Sequence, residues 1–233
     1  MTYHQSADAA RVLVVGAREG SLGHHVAAEL HNAGAAVHTA GIGNEALKLN
    51  ASFAHDARRV YEEVRPTHVV CTVGANIGGP VYGQSFIDDA FDSMLFNYFY
   101  PMNLLTWYME WLCGMPGTFV AVSSNSAHIA RSNSGSYCAS KAALSMGLRC
   151  AARDVSRAGL PVSIWGYEPG ALADTPMTQA VQQRIGKETP MSRMLTHPAG
   201  LNTKMVANII ARDTIRHASV LHGSLVRLDN GDQ

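Results

Sequence analysis

Short runs dominated by Val, Ile and small apolar residues recur along the chain, separated by longer stretches with apolar residues at helical spacing. The runs are RVLVVGA (11–17), AAVHTAG (35–41), THVVCTVG (67–74), GTFVAVSS (117–124), PVSIWGY (161–167) and SVLHG (219–223). A short strand that is apolar on both faces belongs in a sheet covered on both sides, and strands alternating with helical segments build a parallel sheet. Among the intervening stretches, HHVAAELHNAGA and KAALSMGLRCAARDVSRAG carry apolar residues on a helical period and end at Gly34 and Gly159. Glycine is the residue that most readily closes a helix C-terminus. The pattern predicts a doubly wound α/β fold of the Rossmann-like kind, with about seven parallel strands and helices on both faces.

No Pro/Gly/Ser-rich linker, charge block or internal repeat divides the sequence, so residues 1–233 are read as one domain. At 47% hydrophobic and 15% charged, the chain has enough apolar side chains for a sizeable core. Its 18 basic residues balance its 18 acidic ones, which gives no net field to gather nucleic acid or an anionic membrane. The first ten residues, MTYHQSADAA, hold no apolar run, and no later segment is an uninterrupted apolar stretch of membrane-spanning length. A cytoplasmic protein acting on small molecules is the expectation. Cys71, Cys113, Cys138 and Cys150 form no CxxC pair, and the histidines show no ligand spacing, so no metal site is expected.

Two local patterns carry chemistry. After the first strand, Gly16, Gly20 and Gly23 open a helix in GAREGSLG. Glycines there allow a tight turn and bring backbone N–H groups and a helix N-terminus to a pyrophosphate. Further on, SYCASKAAL places Tyr137 and Lys141 four residues apart at the start of a helix, on one face. Moving a hydride to or from a carbinol carbon requires a proton to reach or leave its oxygen, and a phenol can do this if its pKa falls toward neutrality. An ammonium one turn away acts in that direction, as would a cationic nicotinamide.

Between and around these patterns stand Asn97 in SMLFNYFYPMNLL, Ser124 at the end of GTFVAVSS, the segment EPGALADTPM, and VRLDNG near the C-terminus. Asn97 precedes Ser124 by 27 positions and Ser124 precedes Tyr137 by 13. In this set of motifs the sequence resembles the short-chain dehydrogenase/reductase family in its compact single-domain branch, over nearly the whole chain. The resemblance implies an NAD(P)-dependent oxidoreductase that interconverts a ketone or aldehyde and an alcohol. It gives Tyr137 the acid/base role, Lys141 the roles of pKa modulator and ribose contact, Ser124 the substrate oxygen, and Asn97 a bend in its helix and a water linking the Lys to solvent. It implies cofactor contacts at Gly16, Arg18, Gly20, Ser21, Leu22, Gly23, Gly41, Asn50, Gly74, Tyr137, Lys141, Pro169, Gly170, Leu172 and Thr175.

The sequence departs from the family pattern in three places. The glycine turn carries one residue more, near Ser21; CTVG (71–74) replaces the usual N-N-A-G and keeps only its last Gly; and Thr175 lies one position late after Pro169-Gly170. Two alternatives stay beside the main reading: a catalytically silent dinucleotide-binding sensor or scaffold, and the family's enoyl reductase branch, against which the four-residue Tyr–Lys spacing argues.

The region near 173–202 is where the family builds its substrate lid, and Met177, Met191 and Met194 there suit an adaptable apolar pocket. Gly41 stands where NAD-preferring members carry a carboxylate, and Arg18 is the guanidinium nearest a 2′-phosphate, so NADP(H) is favoured over NAD(H). Excess apolar surface on the segments around 88–112 and 140–159 predicts an interface. The family's habit of pairing these helices points to a homotetramer, with a dimer as fallback.

Overall fold

The computed structural model describes residues 10–43, 45–185, 201–216 and 218–229. Its strands are β1 (Arg11–Val15), β2 (Ala36–Gly41), β3 (Leu47–Lys48), β4 (His68–Cys71), β5 (Gly117–Val122), β6 (Val162–Pro169) and β7 (Leu225–Leu228). They form one sheet in the order β3-β2-β1-β4-β5-β6-β7, every pairing parallel. The helices are α1 (Leu22–Asn32), α2 (Ala54–Val64), α3 (Phe86–Met94), α4 (Tyr100–Leu112), α5 (Gly135–Arg157), α6 (Pro176–Ile185), α7 (Thr203–Arg216) and α8 (Ala218–Leu221).

Alternation within the apolar runs explains the two layers. On β1, Leu13 and Val15 join one core with Val69, Phe119 and Ile164, beneath Val60 and Tyr61 of α2, Leu104 and Tyr108 of α4, and Leu144 and Leu148 of α5. Val12 and Val14 face the other way, with Val70, Val120 and Trp165, and are covered by Val26 and Leu30 of α1 and Val206 and Ile210 of α7. Successive side chains of a strand point to opposite faces, so a run apolar at every position needs helices on both sides. Each of these fully buried aliphatic side chains contributes about 1.5–3 kcal/mol of transfer free energy.

Two expectations from the apolar runs need correction. SVLHG does not form a strand: Ala218–Leu221 is the short helix α8, and the edge strand is the following LVRL. The break falls at Gly223, whose φ of +77° turns the chain back to the sheet, where its N–H donates to Ile164 O at 2.8 Å. The two-residue strand β3, paired to β2 through Ala40 and Gly41, adds an edge that no apolar run signalled.

Candidate active site

The strand order reverses between the paired neighbours β1 and β4, so the connections leaving their carboxyl ends run to opposite sides and leave a crevice, the place where open α/β sheets bind ligands. A cleft of about 570 Å³ opens there, walled by the ends of β1, β2, β4, β5 and β6 and by the first turns of α1 and α5. Ser124, Tyr137 and Lys141 line one part of it, and Gly16, Arg18, Ser21, Leu22 and Gly41 another. Gly74, Pro169, Gly170, Leu172 and Thr175 complete the walls between them.

Ser124 follows β5 in extended backbone, and its Oγ accepts from Ser126 N–H at 3.1 Å, fixing the turn that leaves the sheet. Tyr137 and Lys141 lie one turn apart near the start of α5, both buried, with Lys141 Nζ 5.9 Å from the Tyr137 ring centre. That ammonium donates to Val122 O at 3.0 Å. Burial lowers the Lys141 pKa to about 8, partly offset by the Cys71 thiol nearby. For Tyr137 the direction is upward, the reverse of what the Tyr–Lys spacing suggested: loss of solvent dominates, while a hydrogen bond with Ser124 and the Arg131 charge act downward. The Tyr137 side chain is buried, so the neutral phenol is favoured by desolvation.

Asn97 does not line the cleft; it lies behind its wall, fully buried. The chain passes from α3 to α4 through a π-helical turn, Leu95–Phe99, and Asn97 sits at its centre. Its Oδ1 accepts from Ala75 N–H and its Nδ2 donates to Ala75 O, both at 2.8 Å, and to Ser140 Oγ at 3.0 Å. The side chain thereby ties the segment after β4 to α5. Gly74 sits in close quarters: a Cβ there would stand 3.0 Å from Lys141 Nζ and 3.1 Å from Asn97 Oδ1.

At the other end, the extra residue in the glycine turn is a helix cap. Ser21 Oγ accepts from His24 N–H at 3.2 Å and donates to Gly16 O at 3.2 Å, so α1 begins at Leu22 with no acidic side chain in its first turn. Gly16 takes a φ of +89°, a conformation glycine adopts without penalty. Gly23 packs so closely that a Cβ would lie 2.2 Å from Thr72 Oγ1; like Gly20, it shapes the turn and does not line the cleft. Thr175 caps α6, its Oγ1 accepting from Thr178 N–H at 3.2 Å. Asn50 is not part of the cleft: its Oδ1 accepts from Ser52 N–H at 3.0 Å in a local turn, and its N–H donates to Asp56. Met177 lines the cleft, whereas Met191 and Met194 lie outside the described residues.

The short chain dehydrogenase family profile matches residues 68–186, just over half of the chain. The chain belongs to the short-chain dehydrogenase/reductase family. It is an oxidoreductase of that family, whose members use a nicotinamide dinucleotide with small-molecule substrates. Among solved structures it is similar to the ligand-free aldohexose dehydrogenase of Thermoplasma acidophilum, at 20% identity and a TM-score of 0.81 over 96% of this chain and 93% of that one. A dehydrogenase/reductase from Sinorhizobium meliloti 1021 aligns at 18% identity and a TM-score of 0.80, over 94% and 93% of the two chains. An oxidoreductase from Burkholderia thailandensis aligns at 16% identity and a TM-score of 0.80, over 96% and 92%. At these identities the likeness is one of fold. No curated protein matches the sequence.

Sequence reasoning missed several walls of the site. Thr72, within CTVG, donates to Val15 O at 3.0 Å and holds β4 against β1 beside the glycine turn. Arg131 enters the cleft from the turn after β5, its Nε donating to Ser126 Oγ and its Nη2 to Asn125 Oδ1, each at 2.9 Å. Glu45 also lines the cleft. Behind the site, buried Glu168 accepts from Ser145 Oγ at 2.7 Å and faces His128 Nε2 at 2.9 Å, joining β6, α5 and the turn that carries Arg131.

Proposed function

We propose that this short-chain dehydrogenase/reductase interconverts a ketone or aldehyde and an alcohol, with Tyr137 as the proton donor and acceptor. The observation that carries the reading is the convergence of Ser124, Tyr137 and Lys141 on one wall of a cleft whose other end is the glycine turn and the N-terminus of α1. The residues at that end fit a dinucleotide. Gly16, Ser21 and Leu22 present backbone at the positive end of a helix, and no carboxylate stands in its first turn to repel a pyrophosphate.

When bound, the nicotinamide supplies or takes the hydride. The chain's own task is the proton. In the reductive direction Tyr137 Oη gives its proton to the substrate oxygen as charge develops there, and in the oxidative direction it takes that proton back. Ser124 Oγ holds the same oxygen by a hydrogen bond that strengthens with the developing charge. Lys141 would stabilise the phenolate electrostatically and hold the ribose of a bound dinucleotide, and Arg131 adds a second positive charge acting on Tyr137. Asn97 keeps Lys141 and the segment after β4 in register. The assembly that suits the family is a homotetramer, with a dimer as fallback.

The cofactor preference follows different reasoning. On the sequence alone, NADP(H) is favoured because Gly41 offers no carboxylate. Arg18, the nearest guanidinium, supports the same choice, whereas Glu45 brings a carboxylate against Gly41.

The test is turnover on a panel of ketones, aldehydes and alcohols, aldohexoses included, followed by nicotinamide absorbance with each dinucleotide. Tyr137→Phe is expected to lower kcat by roughly 10²–10⁴-fold with dinucleotide binding nearly unchanged, since the ring still packs and only the proton is lost. A Phe variant with near wild-type kcat removes Tyr137 from the reaction. Dinucleotide binding without turnover on any substrate favours the silent sensor instead.

A further inference from the structure

The end of β2 presents an arrangement that the family resemblance did not supply. Gly41 closes the strand, its carbonyl accepting from Leu49 N–H at 2.9 Å, and the chain then loops out and returns through β3. Within that loop Glu45 folds its side chain back against the strand end. A Cβ built on Gly41 would lie 2.4 Å from Glu45 Oε1, and one built on Gly43 would lie 2.9 Å from Glu45 Oε2. The two glycines therefore leave a recess that the Glu45 carboxylate fills. Within it, Glu45 Oε2 is buried and has no hydrogen-bond partner among the described residues. A buried acceptor without a partner is unfavourable unless a donor reaches the carboxylate. Glu45, Gly41 and Ile42 line the same cleft as Gly16 and Arg18.

Resting on the dinucleotide reading above, we propose that Glu45 is the residue that sets cofactor preference, and that the enzyme uses NAD(H). The carboxylate accepts a hydrogen bond from the adenosine ribose 2′-hydroxyl and repels a 2′-phosphate. The role normally filled by the side chain ending the second strand is here filled from four residues further on, through space that Gly41 vacates. Arg18, exposed in the glycine turn, lines the same cleft, so a 2′-phosphate there would face both its guanidinium and the Glu45 carboxylate.

The experiment is equilibrium binding of NADH and NADPH by fluorescence titration, which needs no substrate. Wild type is expected to bind NADH at least tenfold more tightly. Glu45→Gln keeps the shape and an acceptor but removes the charge, so NADPH affinity should rise about tenfold while NADH affinity stays within about threefold. Glu45→Ala should weaken NADH as well. A role in shaping the loop alone would weaken both dinucleotides equally in both variants, and that result overturns the proposal. So does wild-type preference for NADPH, a measurement that does not depend on any variant folding. If neither dinucleotide binds wild type, the underlying cofactor reading fails and this assignment fails with it; binding that ignores Glu45 defeats the assignment only.

Discussion

Lys141 pairs its proposed role with a cost to the fold. Its native pKa of about 8 against an ordinary 10.5 means the unfolded chain holds that proton more tightly between the two values. The burial penalty is therefore fully present below about 8 and is relieved as pH rises toward 10.5. Lys141→Met removes this titration, so the melting temperature of wild type minus that of the variant should climb between pH 7 and pH 10 by a few degrees. A difference that stays flat across that range would show that Lys141 is not desolvated. The same substitution should lower both turnover and dinucleotide affinity. At this scale the meeting of Ser124, Tyr137 and Lys141 in one cleft was legible, because a Tyr and a Lys four apart share a helix face and the Ser stands at a strand end beside it, while their roles came from the family resemblance. Glu45 was not legible: nothing in GIGNEALK distinguishes a carboxylate folded against a strand end from one in solvent. Asn50 misled for the complementary reason, since an Asn after a strand serves a local turn as readily as a ligand.

Between residue and fold lies the strand end CTVG, where packing explains what the sequence left as a departure. Thr72 and Gly74 do different work there, the first bonding β4 to β1, the second leaving room for Lys141 Nζ and Asn97 Oδ1. Neither neighbour yields easily, since Lys141 is held by Val122 O and Asn97 by Ala75. Gly74→Ala should therefore displace the ammonium by a few tenths of an ångström and lower kcat roughly tenfold or more, with little loss of melting temperature. Equal kcat in the variant would mean that Lys141 tolerates the shift. The strands of the sheet interior could be read from composition because both faces are apolar, a signal that only burial between two helix layers sustains. SVLHG failed as a strand because five apolar-rich residues do not separate a short helix from a strand by period. The π-helical turn around Asn97 had no signature in side-chain pattern, as it arises from one extra residue accommodated within a continuous helix.

For the whole molecule, the apolar surface along α3 and the π turn is more than a lone subunit needs. Ile87, Phe91, Leu95 and Phe99 recur every fourth residue and remain 62%, 73%, 39% and 49% exposed. Steps of four drift slowly around an α-helix, and the wider turn at 95–99 keeps the last two in line, so the four form one stripe. Beside it, Tyr98, Met102, Met146 and Gly147 line a groove between α4 and α5, with Met146 itself 57% exposed. Gly147 is packed under Tyr98 and Met102, which holds the two helices close and leaves Met146 outside. Closed two-fold assemblies are the commonest way for such surface to be covered, and a stripe and a separate groove can each lie on such an axis. Light scattering at micromolar concentration is expected to give four times the 25.0 kDa of the chain, or twice that mass if only one axis forms. Phe91→Glu and Met146→Glu each place a charge on one part of this surface, and each should lower the assembled mass while the cleft, which contains neither residue, still binds dinucleotide. A monomeric wild type would remove the assembly argument and leave the stripe without an explanation in the isolated chain.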